Sequence, residues 1–185
     1  MPVLISLLRA VNVGGHQMIK MDALRELYES IGFRPARTYL QSGNVVFKSG
    51  ERDPARLTKK IETAIERDFG FRPDVVIRTT VELKDVIRRN PFAKRRDIDP
   101  RKLLVTFLAG VPAREDVEKV SKIKADPEEM HINGREVYIY FPNGVARPKI
   151  SWTQVAKKLK TSGTARNWNT VTQLLAMAEE LEAAP

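Results

Sequence analysis

The 185-residue sequence predicts an α+β fold in which two halves repeat one β-α-β-β-α-β pattern. Three observations carry that expectation. Short apolar runs of strand length, residues 3–9 and 103–108, each precede a segment with apolar residues at helical spacing. Each half then holds a glycine-centred hairpin signal, Ser42-Gly43-Asn44 or Asn133-Gly134, between short strand-like runs. A further amphipathic helix follows each hairpin, with a recognisable start.

In order along the chain, residues 3–9 suit a buried strand. After the Asn12-Val13-Gly14-Gly15 turn, Leu24, Leu27, Tyr28 and Ile31 recur at helical spacing, and Gly32 stops that helix. Residues 38–41 and 45–48 flank the first hairpin. Asp53 caps and Pro54 opens the next helix, whose apolar stripe is Leu57, Ile61, Ala64 and Ile65 and whose end is Gly70. A strand at 74–78 completes the ferredoxin-like order. Thr79 and Glu82 form a capping box for a linking helix that Asn90-Pro91 closes. In the second half, Val117, Val120 and Ile123 mark a helix, residues 129–132 and 136–141 flank Asn133-Gly134, and Ser151 with Gln154 caps a helix through Leu159. A last helix carries Val171, Leu174, Leu175, Ala178 and Leu181 on one face. The expected organisation is a first repeat at 1–79, a linking helix and basic loop at 80–101, a second repeat at 102–160 and a helical extension at 161–185. Halves this small bury too little surface alone, so one structural unit is expected.

Composition narrows the chemistry. Without cysteine there are no disulfides, thiolate nucleophiles, iron–sulfur clusters or sulfur-ligated zinc sites. Only His16 and His131 are present, far apart in sequence, so neither a histidine metal cluster nor any other metal or cofactor is expected. Residues 1–10 are apolar but short, lack a basic lead-in and include Arg9, so no signal peptide is expected. No run approaches a membrane span, and a cytoplasmic protein without a membrane partner is the expectation. The net charge of +9 suits nucleic acid or a phosphorylated small molecule as partner. It is uneven: residues 137–178 contain no acid, and residues 88–102 hold seven basic residues against Asp97 and Asp99.

Four stretches hold more polar and backbone-permissive residues than folding requires. The first includes Arg9, Asn12, Gly14, Gly15 and His16, where paired glycines beside an arginine suit a phosphate or carboxylate. It has neither the Walker spacing nor a GxGxxG fingerprint. The second is Gln41-Ser42-Gly43-Asn44, which a hairpin turn explains equally well. The third runs from Tyr138 to Gly144 with Arg147 and Lys149 beyond. Tyr138 and Tyr140 share a strand face, either to stack bases or to pack beneath a helix. The fourth, Arg166-Asn167-Trp168-Asn169 before the last helix, reads as an anion contact at a helix start or as a capping network.

On these stretches the chain resembles the bacterial family known as domain of unknown function 1697. The resemblance rests on LLRAVNVGGHQMIKM from Leu7, TYLQSGNVVF from Thr38, YFPNGVARPKI from Tyr140 and TARNWNTV from Thr164. That family typically has glycine where this chain has Ala10, and often serine at Pro148. The resemblance implies two intertwined ferredoxin-like repeats with a C-terminal helical extension, and it implies no activity. It also implies that the four stretches belong together, so Arg9, Asn12, Gly14, Gly15, Gln41, Ser42, Gly43, Asn44, Lys149, Arg166, Asn167, Trp168 and Asn169 are the candidate ligand-binding residues. Catalytic residues and oligomeric state are not assigned.

Three functional readings follow. The first is binding of a phosphate-bearing partner, nucleic acid or a nucleotide-like ligand, at a basic polar site between the halves. The others are a metal-independent enzyme acting on a small anionic substrate, and a structural or protein-interaction module in which the motifs only hold the fold together.

Overall fold

The computed structural model describes residues 1–184, which form an α+β fold of six helices and two four-stranded antiparallel sheets. In chain order the elements are β1 (Val3–Leu8), α1 (Met21–Ser30), β2 (Ala36–Tyr39), β3 (Asn44–Lys48), α2 (Pro54–Phe69), β4 (Val75–Thr79) and α3 (Thr80–Arg88). A 3-10 turn at Pro100–Lys102 leads into β5 (Leu103–Leu108), α4 (Arg114–Ser121), β6 (Glu129–Asn133), β7 (Glu136–Tyr140), α5 (Trp152–Leu159), β8 (Gly163–Asn167) and α6 (Trp168–Ala183). The chain groups into two compact units: Met1–Lys84 with Gln173–Pro185, and Asp85–Thr172. The division falls inside α3 and inside α6.

In the first unit the strand order is β2-β3-β1-β4. All six residues of β1 are buried, as befits a strand with hydrogen-bonded neighbours on both sides and no polar face. One sheet face and the apolar stripes of α1 and α2 enclose a core that includes Leu4, Tyr28, Phe47, Leu57 and Ile61. Tyr28, Phe33 and Phe47 pack as rings with centroids 4.9–6.1 Å apart. The buried Tyr28 and Ser6 hydroxyls satisfy one another at 2.8 Å, which removes the cost of leaving either unpaired. The helix ends follow the local signals. Asp53 accepts from the Ala55 amide, Gly70 closes α2 at φ +76, and Thr79 and Glu82 exchange bonds as a capping box.

The second unit repeats this order of elements, with strands arranged β6-β7-β5-β8. Val137, Ile139 and Phe141 face a core with Val120, Val155 and Leu159. Tyr138 and Tyr140 take the opposite face, as strand alternation requires.

Two differences from the sequence reading have physical causes. The strand expected at 38–41 lies at Ala36–Tyr39, because Leu40 adopts φ +54 and starts the turn. Residues 161–185 are not all helical extension: Gly163–Asn167 is the fourth strand of the second sheet, paired antiparallel with β5. Its glycine reads as a breaker, yet a Cβ there would lie 2.9 Å from the Phe107 carbonyl oxygen, so close packing against β5 requires its absence.

Candidate functional site

The first two candidate stretches meet at one end of the first sheet. Asn12 Nδ2 donates to the carbonyls of Ile19 (2.9 Å) and Gln41 (2.7 Å), while its Oδ1 accepts from the Ile19 amide. One side chain thus closes its own loop and ties it to the hairpin turn. Gly43 seats against β1: the Leu8 amide donates to its carbonyl at 2.9 Å, and a Cβ at Gly43 would lie 2.8 Å from Leu8 Cβ. Asn44 is fully buried and donates to Tyr39 O and Ser42 Oγ, fixing the turn from inside. Ala10, Asn12, Gln17 and Leu40 all hold the left-handed backbone that side chains disfavour, alongside Gly14, Gly15 and Gly43. Concentrated left-handed backbone marks a shape held by its surroundings, which is frequent at ligand clamps. Gly14, Gly15 and His16 are exposed on the outer part of the loop, with Val13 and Met18 also projecting into solvent.

Arg9 stands beside this cage. Its guanidinium pairs with Asp74 at 2.9 Å, and both line a cavity of about 220 Å3 with Ala10, Gln17, Arg72 and Pro73. Arg72 is itself held by Glu62 (2.9 Å) and Glu66 (3.1 Å), so carboxylates offset the cations of this cavity. Gln17 Oε1 is buried without a hydrogen-bond partner among the described residues.

The third and fourth stretches lie in the second unit. Tyr138 is fully buried and donates to the Val86 carbonyl at 2.7 Å. Tyr140 packs 6.0 Å from the Phe92 ring, has Arg95 over its face and donates to the Asp97 carbonyl. Of the two fates open to these tyrosines, packing is the one adopted. Lys149 turns its ammonium to the Asp126 carbonyl, and the amides of Lys149 and Ile150 donate to the Glu128 carboxylate, each at 2.7 Å. Glu128 therefore pins the segment that bears Lys149. Arg166 of β8 is buried, 7% exposed, and donates to Thr164 Oγ1 and Ala165 O. Burial pushes its guanidinium down to about 10, still charged at neutral pH. Asn167 accepts from the Thr170 amide and so starts α6, Trp168 is half-buried, and Asn169 is exposed. The fourth stretch is a strand end plus a helix cap rather than a free loop.

Periodicity did not point to Asp116. It is buried in α4 between Lys119 (3.2 Å) and Lys160 (2.9 Å), whose ammonium groups hold its carboxyl below the usual range. Among the described residues no cluster of His, Asp and Glu is placed to hold a metal, and no helix is long and apolar enough to cross a membrane.

The fold is shared. The chain is similar to a solved structure described as conserved bacterial protein SP0830 from Streptococcus pneumoniae. That similarity has a TM-score of 0.73 and 20% identity over 97% of this chain and 99% of the other. At that identity the likeness concerns the fold alone. No curated protein matches the chain. Residues 1–138 match the family described as Protein of unknown function (DUF1697), and a match over that share of the sequence makes the chain a member of that family.

Proposed function

We propose that the protein is a cytoplasmic binder of phosphate-bearing partners, nucleic acid ahead of nucleotide-like ligands, and that each unit is a ferredoxin-like repeat. The observation that carries the binding reading is the distribution of charge. Asp85–Thr172 holds 18 of the 32 Lys and Arg residues against 10 of the 23 Asp and Glu, whereas the other unit has 14 against 13. Almost the whole surplus therefore belongs to one small domain, whose field favours polyanions. Lys94, Arg96, Arg147, Lys157 and Lys158 are exposed there and make no ion pair among the described residues. Because Tyr138 and Tyr140 are buried, base stacking on that sheet face is not the mode; phosphate contacts are. Such binding tolerates many sequences and weakens steeply with salt through counterion release.

Fluorescence anisotropy of the full chain with single-stranded RNA and DNA at low ionic strength tests this. Unrelated sequences should bind alike. Lys157→Glu with Lys158→Glu should weaken all of them and flatten the salt dependence by about one unit of slope for each phosphate no longer neutralised. No binding at tens of micromolar protein would sink the proposal. A second reading, an interaction module, draws support from a separate observation: Asn12, Asn44, Lys149 and Asn167 direct hydrogen bonds inward within their own units.

A further inference from the structure

The first unit is nearly balanced in charge, yet one face of it is not. Arg56, Lys59, Lys60, Thr63 and Arg67 lie along α2, each three or four residues from at least one other of them, which gathers them on one broad side of the helix. They line a cavity of about 440 Å3, together with Ile31 and Ala64. No carboxylate lines it among the described residues. Two of the three acidic residues of α2 are turned elsewhere: Glu62 and Glu66 both hold Arg72. Arg56 leans towards Asp53 at 3.5 Å and Arg67 bonds Asp68 at 2.9 Å, exposed pairs at the two ends of the stripe that orient the guanidinium groups with little energy of their own. Between them, Lys59 makes no ion pair among the described residues. The Lys60 ammonium lies 5.0 Å from the centre of the Phe33 ring.

A solvated basic face is the ordinary fate of such a stripe. Two features set this one apart. Like charges at three- and four-residue spacing repel along a helix, a cost that alternating signs would avoid and a bound anion would relieve. The cations also border a shallow hollow open to solvent, with the aliphatic Ile31 and the buried Ala64 among its lining. Its volume falls in the range of small-ligand sites, roughly 300–1,000 Å3.

We infer that the α2 cavity is a binding site for an organic anion with an apolar body, its carboxylate or phosphate head held by Lys59 and Lys60 and its body laid against Ile31 and Ala64. Thr63 supplies a hydroxyl donor at the same level of the helix. A bare inorganic anion would leave the aliphatic lining wet, and a neutral apolar molecule would leave the cations unanswered. The site needs both halves of an amphiphile. It is independent of the nucleic-acid reading, which rests on the other unit.

The test is an NMR titration of the 15N-labelled full chain with octanoate, octyl phosphate, inorganic phosphate and octan-1-ol. At least one octyl anion should shift the amides of Ile31 and residues 56–67, with a Kd about tenfold or more below those of inorganic phosphate and octan-1-ol. Preference for octanoate identifies a carboxylate head and preference for octyl phosphate a phosphate ester. Lys59→Gln with Lys60→Gln should raise that Kd about tenfold while leaving the chain folded and the anisotropy with single-stranded RNA unchanged. Shifts confined to other parts of the chain, equal affinity for octan-1-ol and the octyl anions, or unaltered binding by the double variant would each overturn the assignment.

Discussion

The two units share an order of elements and an order of strands, but not a balance of forces. In the first, α2 runs 16 residues and α1 ten, and the helices and sheet bury a cluster extending from Leu4 to Ile77. In the second, α4 and α5 have eight residues each, two turns apiece, and the corresponding cluster is smaller. Short helices offer less apolar stripe, so less area leaves water. The second unit also carries the surplus of like charge, which works against its own compaction. Topology alone sets neither stability nor surface: one arrangement supports a large neutral core with a tightly bent loop, and also a small core under a basic shell.

The largest effect that tests this contrast is expected at the two glycines that abut the ends of the central strands. Gly43→Ala in the first unit forces a Cβ to 2.8 Å from Leu8 Cβ at φ +70, combining overpacking with a left-handed penalty. A loss of about 2–4 kcal/mol is expected. Gly163→Ala in the second meets the Phe107 carbonyl at 2.9 Å but has no positive φ, so about 1–3 kcal/mol is expected. Denaturant midpoints of both variants decide it; equal or reversed losses would show that the left-handed turn contributes nothing.

Acid should separate the units next. Asp116 has its carboxyl lowered by Lys160 first and Lys119 second. A depressed carboxyl contributes stability above its unfolded value of ~3.9 and loses it as pH falls through the lower folded value. The lowered carboxyls of the first unit, Glu51 and Asp68, lie exposed near the ends of α2, and its buried Ser6–Tyr28 hydroxyl pair has a phenol that burial pushes up and away from the acid range. Amide exchange below that pH should therefore rise first around α4 and α5, and Asp116→Asn should abolish the difference. Uniform loss of protection across both units would contradict it.

The smallest effect is a gain. Ala10 sits at φ +58, where the family it resembles typically has glycine. Removing its Cβ relieves left-handed strain, offset in part by the greater freedom of glycine in the unfolded chain, so Ala10→Gly should stabilise by about 0.5–1 kcal/mol. A lower midpoint would mean that the Ala10 methyl makes contacts worth more than its strain.

Much of the fold was legible because its signals are local. Asp53-Pro54, the Thr79 and Glu82 box, Gly70 and Asn133-Gly134 each complete their chemistry within a few residues, and each sits where its sequence placed it. The alternation that puts Tyr138 and Tyr140 opposite Ile139 was equally readable, but whether that face stayed open was not. The candidate stretches were visible as groups with excess hydrogen-bonding capacity. What remained hidden was where that capacity goes: Asn12 to a carbonyl 29 residues away, Glu128 to amides more than 20 residues on, and Arg166 out of solvent.

By itself, then, the sequence determined the kinds of element and their order apart from β8, the exclusion of cysteine chemistry and the excess of positive charge. These depend on residue type and short spacing. The tertiary structure alone decided that Gly163 joins a sheet, that Tyr138 is buried, that Asp116 lies between two lysines and that the stripe on α2 borders a hollow. Each of these depends on groups far apart in sequence arriving at one place, and the closeness of distant segments is set by packing of the whole unit rather than by any local propensity.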